Sequence, residues 1–213
     1  MNLEKYIRQI KQMKPMEAGF MYNATTWSKL SEHHKFLIRD FEGKMITRAD
    51  VIKAYKKYYN HGIDIVIPFL LTMVWGFADT GYGTHRTNNY ISNFENLDWI
   101  KQGIDAVKKE EIKEAFKSLK KIKGLGVSYI TKVLYFASKG ANLKNYTLIY
   151  DIRVASSLIR LTTPKEIFEI VSVSPSSKYE NFKRYNSLLQ QQAKKYNVEA
   201  DAIELFLYEQ KFS

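Results

Sequence analysis

Apolar residues recur at i, i+3, i+4 and i+7 along most of the chain, and this spacing predicts a mainly α-helical protein. The clearest stripe indicates a helix with one buried face directly after residue 126. Similar stripes predict helices near both ends of the chain and around residues 47–61 and 110–120. The stripes comprise Leu3, Tyr6, Ile7 and Ile10; Val51, Ile52, Tyr55, Tyr58 and Tyr59; Ile112, Ala115, Phe116 and Leu119; Ile130, Val133, Leu134 and Ala137; and Ile203, Phe206 and Leu207.

Short motifs mark where several of these helices begin and end. Thr47 and Asp50 have the spacing of a capping box, and Gly62 ends the helix that follows. Pro68 fits the first turn of a buried helix that runs through Trp75. Residues 20–46 fit either a helix or an extended segment. Further helix starts are predicted at residues 163–166, at Ser177 with Glu180, and at Asn197.

These elements predict one domain over residues 1–213, a bundle of about ten helices. We expect two lobes around a cleft, with a small extended piece near the N-terminus. Of the 213 residues, 45% are hydrophobic and 14% are aromatic, which is enough to bury a core.

The apolar segments are too short to indicate a membrane protein. The longest run, residues 63–77, falls below the roughly 20 residues of a spanning helix. The N-terminus lacks the apolar stretch of a secretion signal. The composition is rich in Lys, Asn, Tyr and Ile, which is typical of an AT-rich bacterial genome. We therefore expect a monomer of the bacterial cytoplasm that does not bind membranes.

Cysteine is absent, which excludes disulfides, thiol catalysis, cysteine-bound iron–sulfur clusters and cysteine zinc sites. Of the four histidines, only His33 and His34 are neighbours, and adjacent residues do not share a helix face. We expect no metal site built from these side chains. The net charge of +11 favours a polyanionic partner, because Lys and Arg gain affinity by releasing counterions from phosphates. Lys-rich chains are also often merely soluble, so the position of the charge in the structure decides whether it indicates such a partner.

The letters KIKGLG, residues 121–126, end one apolar helical pattern just before another begins. Gly124 and Gly126 can adopt positive φ and let another backbone approach closely. The helix that restarts points its free N–H groups outward, beside Lys121 and Lys123. These features favour a turn that binds phosphate. From the turn alone, a tight connection between packed helices is equally consistent.

Two segments in this order resemble the helix-hairpin-helix DNA glycosylase superfamily. They are IKGLGVSYITKVLYFA (122–137), within the motif block 112–137, and LIYDIRVASSL (148–158), within 147–161. The first matches the hairpin pattern leucine-proline-glycine-any-glycine, with Lys123 where proline is usual. In the second, Asp151 matches the catalytic acid that begins the following helix. The letters WGFADTGYGTHRT (75–87) are also similar to small bacterial proteins with an 8-oxoguanine-glycosylase fold.

The resemblance implies that Asp151 is catalytic, because a carboxylate near the sugar stabilises the oxocarbenium character that develops as the base leaves. Asp at a helix start is also a common N-cap, and both roles can hold together. Members that also nick DNA carry a lysine two residues after the second hairpin glycine, where this chain has Ser128. This implies a monofunctional enzyme. Lys132, one turn further on the same face, leaves a bifunctional glycosylase-lyase open.

The resemblance also implies which residues bind DNA and which hold the base once it leaves the duplex. The hairpin residues expected to contact DNA are Lys121, Lys123, Gly124, Leu125, Gly126 and Val127. A polar loop, predicted over residues 76–89, and its surroundings supply the candidates for the base pocket. These are Trp75, Asp79, Tyr82, His85, Arg86 and Tyr150. A surface loop with a buried Trp75 fits this segment as well.

Two substrate classes fit the resemblance: an oxidised purine met in repair, and a modified base of invading phage DNA. The competing functional class is a non-catalytic helix-hairpin-helix protein that only binds DNA. In each case the expected partner is DNA, which would associate the protein with the nucleoid. We expect no cofactor other than an alkali ion that the carbonyl groups of the hairpin could hold.

Overall fold

A computed structural model describes residues 3–78, 82–161 and 179–210, and these residues are mainly helical. They form eleven α-helices: α1 (Ile7–Gln12), α2 (Glu32–Ile38), α3 (Arg48–His61), α4 (Val66–Phe77), α5 (Gly83–Ile91), α6 (Phe94–Lys108), α7 (Ile112–Lys120), α8 (Val127–Gly140), α9 (Ile152–Leu161), α10 (Tyr179–Tyr196) and α11 (Ala200–Glu209). Short 3-10 helices cover Glu4–Tyr6, Pro15–Glu17 and Arg39–Phe41. The prediction of a mainly α fold is confirmed. None of the described helices is long and apolar enough to cross a membrane.

A small antiparallel sheet forms the extended piece near the N-terminus. Strand β1 (Gly19–Met21) pairs with β2 (Met45–Thr47), and Phe20 lies opposite Ile46. The strands are so close at Gly19 that a Cβ there would lie 2.1 Å from the carbonyl oxygen of Ile46. The sheet leads directly into α3, and the indole N–H of Trp75 on α4 donates to the Ala18 carbonyl at 3.3 Å. These contacts fix β1 against the end of α4.

The predicted limits of α3 are confirmed. The Thr47 N–H donates to Asp50 Oδ2 at 2.9 Å, and the Asp50 N–H donates to Thr47 Oγ1 at 3.3 Å, which completes the capping box. At the other end, Gly62 has φ 63°, the left-handed conformation that terminates helices. Pro68 lies in the first turn of α4, as expected.

Helix α8 occupies the centre of the fold and packs against α3, α4, α6 and α7. It approaches α3 so closely that a Cβ on Gly140 would lie 2.4 Å from Cβ of Tyr55. Nearly every face of α8 beyond its first turn is buried, including the polar residues Thr131, Lys132 and Ser138. Buried polar groups need hydrogen-bond partners inside the protein. The partners of Lys132 define the candidate site below.

Most described residues of the segment predicted as a polar loop, 76–78 and 82–89, are helical, so the prediction of a loop was wrong for them. Helix α4 continues to Phe77, and α5 begins at Gly83. Gly83 permits close packing, because a Cβ there would lie 2.7 Å from Phe77 and 2.9 Å from Trp27. The Thr84 hydroxyl donates to the Thr26 carbonyl at 3.2 Å, so a residue typical of loops is accommodated on the buried face of this helix.

Three further predictions of helix starts need correction or lie outside the described residues. Asn197 does not open the last helix, since it has φ 50° after the end of α10, and α11 begins at Ala200. Asparagine tolerates the left-handed conformation that follows helix ends, which explains this placement. The helix start predicted at residues 163–166 and the one at Ser177 fall outside the described residues.

Candidate active site

The turn between α7 and α8 presents main-chain atoms to solvent. Gly124 has φ +85°, which favours glycine, whereas Gly126 has an ordinary φ of −72° and is the N-cap of α8. Of the two glycines, only Gly124 therefore uses positive φ. A Cβ on Gly126 would meet nothing within 4 Å, and α8 begins without a capping side chain. Uncapped N–H groups at a helix start, beside open space, form a favourable site for an anion.

Side chains from neighbouring helices hold this turn in place. The Tyr90 hydroxyl of α5 donates to the Gly124 carbonyl oxygen at 2.7 Å. Leu125 is buried in the core, so only its main chain could contact a ligand, while Val127 is half-buried. Lys121 and Lys123 are exposed, and the Lys121 ammonium lies 3.5 Å from the centre of the Trp99 ring. The turn thus combines a fixed backbone with two cationic side chains.

Asp151 caps α9 and also reaches the start of α8. Its Oδ1 accepts a hydrogen bond from the Arg153 N–H at 3.1 Å, and its carbonyl oxygen accepts from the Ala155 N–H at 3.0 Å. Its Oδ2 accepts from the Ser128 hydroxyl at 2.7 Å and from the Lys132 ammonium at 3.2 Å. Capping therefore fixes the carboxylate against Ser128 and Lys132, the two residues predicted from the sequence to act with it.

Ser128 and Lys132 share one face of α8, and the lysine returns along that face toward the hairpin. The Lys132 ammonium donates to Ser128 Oγ at 2.7 Å, and the Ser128 hydroxyl in turn donates to Asp151. Gly76 on α4 leaves room for this arrangement, because a Cβ there would lie 3.0 Å from Lys132 Cδ. The structure thus brings Ser128, Lys132 and Asp151 into one hydrogen-bonded group.

Burial changes the electrostatics of this group. Burial lowers the pKa of the Lys132 amine, and attraction to the Asp151 carboxylate only partly offsets the effect. For Asp151, burial opposes ionisation, but the Lys132 charge and the hydrogen bonds from Ser128 and Arg153 outweigh it and lower the pKa of the carboxyl below its ordinary value. The carboxylate is therefore ionised at neutral pH, beside an amine that loses its proton more readily than an exposed lysine.

A cavity of about 250 Å³ begins at Lys132. It is smaller than most sites for drug-sized ligands, which measure about 300–1,000 Å³, so it suits a small group. Its walls include residues of β1, α3, α4, α8 and α11. They include Gly19, Arg48, Trp75, Lys132, Glu204 and Tyr208. Asp151 does not line the cavity and is connected to it through Lys132.

Among the residues predicted for the base pocket, Trp75 lines this cavity. Tyr82, which is 75% exposed, and His85 and Arg86 lie on or next to the solvent side of α5. Tyr150 is buried in the core, where its ring stacks on Tyr185 with centroids 4.7 Å apart. Asp79 lies outside the described residues.

Sequence reasoning missed two charged residues in the cavity wall, Arg48 and Glu204. Glu204 interrupts an apolar run, AIELFL at residues 202–207, and a lone charge on such a stretch was a usable signal. Arg48 carried no comparable signal, because it directly follows the Thr47 cap in a segment where polar and apolar residues alternate irregularly.

A model of the family described as "Putative 8-oxoguanine DNA glycosylase OGG-like protein" matches residues 13–208. The matched range contains the hairpin, Asp151 and nearly all of the cavity wall. No curated protein and no solved structure gives a significant match.

Proposed function

The chain belongs to this family of 8-oxoguanine DNA glycosylase-like proteins, and on that basis we propose that it is a DNA N-glycosylase that hydrolyses the bond between an oxidised purine and its deoxyribose. Membership of the family itself supports a glycosylase-like role on DNA. The substrate, the hydrolytic chemistry and the residues that perform it belong to the proposal.

One observation carries the proposal: hydrogen bonds connect the Asp151 carboxylate both to the first turn of α8, directly after the hairpin, and to a residue that lines the cavity. Ser128, two residues after Gly126, donates to it at 2.7 Å, and Lys132, which donates to it at 3.2 Å, lines the cavity. A phosphate bound at the hairpin would hold the sugar near the carboxylate. A base turned out of the duplex would then have the cavity within reach.

The chemistry follows from this arrangement. As the C1′–N bond breaks, its electron pair leaves with the base, and positive charge develops on the sugar. The Asp151 carboxylate stabilises that charge. A carboxylate has about four acceptor positions, and three are occupied by Ser128, Lys132 and Arg153, so one remains for a water molecule. That water attacks C1′ and gives a proton to the carboxylate. The departing base takes up a proton from solvent, and the carboxylate then releases its proton to solvent.

The test is the release of free base from defined DNA. Duplexes that carry an oxidised purine, an alkylated base or a phage-type modified base are incubated with the protein, and the free base is identified by mass spectrometry. We expect release of the oxidised purine. Release of the phage-type base alone would contradict the proposed substrate. Binding without release of any base would indicate a non-catalytic DNA-binding protein.

The position of Lys132 favours a second candidate function, a glycosylase that also nicks the strand. Its Nζ lies 2.7 Å from Oγ of Ser128, the residue at the position where nicking relatives carry lysine, and burial lowers its pKa. The neutral amine would attack C1′ and displace the base with its bonding electrons, and Asp151 would accept the ammonium proton. The nitrogen lone pair would then break the C1′–O4′ bond, O4′ would take up the proton held by Asp151, and the resulting Schiff base would allow elimination of the 3′ phosphate.

Borohydride trapping separates the two candidates. Reduction of a Schiff base leaves the protein covalently attached to DNA, which is visible as a shifted band on a denaturing gel. Lys132→Met should abolish any adduct, whereas Lys139→Met, on the same helix but paired with Asp201, should retain it. Base release without an adduct in the wild-type protein supports hydrolysis alone.

A further inference from the structure

A second cavity, an open groove of about 730 Å³, lies directly beside the hairpin. Its walls come from α5, from the beginning of α6 and from the hairpin segment 121–126. They include Asn89, Asn93, Asn96, Trp99, Lys121 and Lys123. None of these residues lines the cavity at Lys132, and the chemistry proposed above uses none of their side chains.

Hydrogen bonds between α5, α6 and the hairpin hold the walls of the groove in place. Asn96 Nδ2 donates to the Asn89 carbonyl oxygen at 3.3 Å, and Asn93 Oδ1 caps α6 by accepting from the Asn96 N–H at 3.3 Å. The residue after Asn89 is Tyr90, whose hydroxyl donates to the Gly124 carbonyl oxygen. The groove is therefore formed in advance and continuous with the hairpin, which reduces the entropy cost of binding.

The Trp99 ring fixes the position of the Lys121 ammonium, which lies 3.5 Å from its centre. Tryptophan attracts cations more strongly than the other aromatic side chains do. Within the described ranges, no hydrogen bond or ion pair joins Lys121 or Lys123 to another protein group. An ammonium held by an aromatic face, without a carboxylate beside it, keeps its donors for a ligand.

The groups in the groove define the chemistry of that ligand. The ammonium groups of Lys121 and Lys123 offer only donors, and the amide of Asn93 uses its oxygen for the cap and retains its N–H groups. Glu95 is the only acidic residue among those that line the groove. Such a wall is complementary to an anion rich in acceptors. Because the groove continues from the hairpin, a strand with successive phosphates fits it better than a single small anion.

We propose that this groove binds the DNA strand next to the nucleotide at the hairpin, with Lys121 and Lys123 on phosphates beyond the one held at the start of α8. Trp99 is a positioning residue that acts through Lys121. This inference rests on the proposed function and adds a second phosphate site to it. Two separate phosphate contacts fix the register of the strand relative to Asp151.

The test replaces single phosphates of a duplex by neutral methylphosphonates. The duplex carries a tetrahydrofuran in place of the damaged nucleoside, which fixes the register, and affinity is measured by fluorescence anisotropy. The wild-type protein should lose affinity about 3- to 10-fold at the hairpin phosphate and again at an outer phosphate of the same strand. In Lys121→Ala the outer loss should fall below about 2-fold, because the contact is already absent, and the hairpin loss should remain.

Lys120→Ala is the matched control, because Lys120 is exposed and adjacent in sequence but does not line the groove. It removes the same charge and should keep both losses. Trp99→Phe retains an aromatic face and should keep the outer loss, whereas Trp99→Leu should reduce it and keep the hairpin loss. A fall in affinity that is the same for every duplex, together with lower stability in urea, would instead indicate a structural role and overturn the positioning role.

If Trp99→Leu does not fold, Lys121→Ala still decides the inference, since Lys121 is exposed. An outer loss that persists in Lys121→Ala, or the absence of any outer loss in the wild-type protein, would overturn it. Equal losses at every phosphate would indicate binding without a fixed register and would overturn it as well.

Failure of the proposed function is distinguishable. If the wild-type protein releases an oxidised purine but shows no outer loss, only the groove is wrongly assigned. If it releases no base and still shows an outer loss that depends on Lys121, the glycosylase proposal falls and the groove remains as part of a DNA-binding site.

Discussion

Replacement of Asp151 by asparagine tests the proposed chemistry with little change in shape. Asparagine is also a good N-cap, so its Oδ1 can still accept from the Arg153 N–H, and α9 should begin as before. The amide nitrogen, however, takes the place of Oδ2. It cannot accept the hydrogen bonds that Ser128 and Lys132 now donate, and it carries no charge.

The expected magnitudes separate stability from catalysis. Hydrogen bonds to a charged acceptor contribute about 1.5–3 kcal/mol each, but Ser128 can rotate and Lys132 can lose its proton, so we expect a net loss of about 1–3 kcal/mol. Small domains have about 5–15 kcal/mol of stability, so the variant should remain folded. Loss of the charge opposite the sugar should slow base release on the order of 10²–10³-fold.

The assay combines three measurements on one preparation: single-turnover release of 8-oxoguanine, affinity for a duplex by fluorescence anisotropy, and unfolding in urea. The Asp50→Asn variant is the control, because Asp50 caps α3 and does not line the cavity. It should lose some stability and keep its rate. If Asp151→Asn releases base at the wild-type rate, or if Asp50→Asn slows release equally, Asp151 is not the catalytic carboxylate.

Three further predictions concern the hairpin and the charged group. Gly124→Ala should lower the free energy of unfolding in urea by about 1–2 kcal/mol, because Gly124 has a φ of +85°. Gly126→Ala should change that free energy by less than about 1 kcal/mol, yet it should weaken duplex binding in anisotropy titrations, because its Cβ would occupy open space at the turn. Equal effects of the two variants on stability would contradict this prediction. Lys123→Ala should reduce the slope of log affinity against log salt by about 1, measured by the same titration, and an unchanged slope would remove Lys123 from the phosphate contacts. The folded state lowers the pKa of Asp151 below its ordinary value of 3.8, so the stability advantage of wild type over Asp151→Asn should be complete above about pH 4 and should disappear as the pH falls through the lower folded pKa. Urea unfolding at a series of acidic pH values measures this advantage. An advantage that grows on acidification would refute the assignment.

The predictions that succeeded rest on chemistry between near neighbours in sequence. The Thr47 capping box and the end of α3 at Gly62 are confirmed, because a cap depends on residues within one turn. The stripe of α8 is confirmed for the same reason, since its period is fixed by helix geometry. The shared face of Ser128 and Lys132 followed from their spacing of four, and the two side chains are hydrogen-bonded.

What the sequence did not reveal depends on distant partners. Arg48 and Glu204 are 156 positions apart, and neither residue's neighbours indicate the other. Helix α5 was predicted as a loop, because Gly83 and Thr84 usually mark turns, and only their contacts with residues far along the chain make a helix favourable there. Helix α6 was not predicted, although its buried residues Ile100, Ile104 and Val107 follow the helical period.

The bond between Lys132 and Ser128 has a consequence for how such proteins are classified. Positions 128 and 132 are one helical turn apart, so a lysine at either position can place its amine at the same point beside the carboxylate. A survey that assigns strand-nicking ability from the letter in a single column would place this chain with the pure hydrolases. A survey based on the distance from any lysine nitrogen to the acidic oxygen, here 3.2 Å, would flag it for trapping experiments instead.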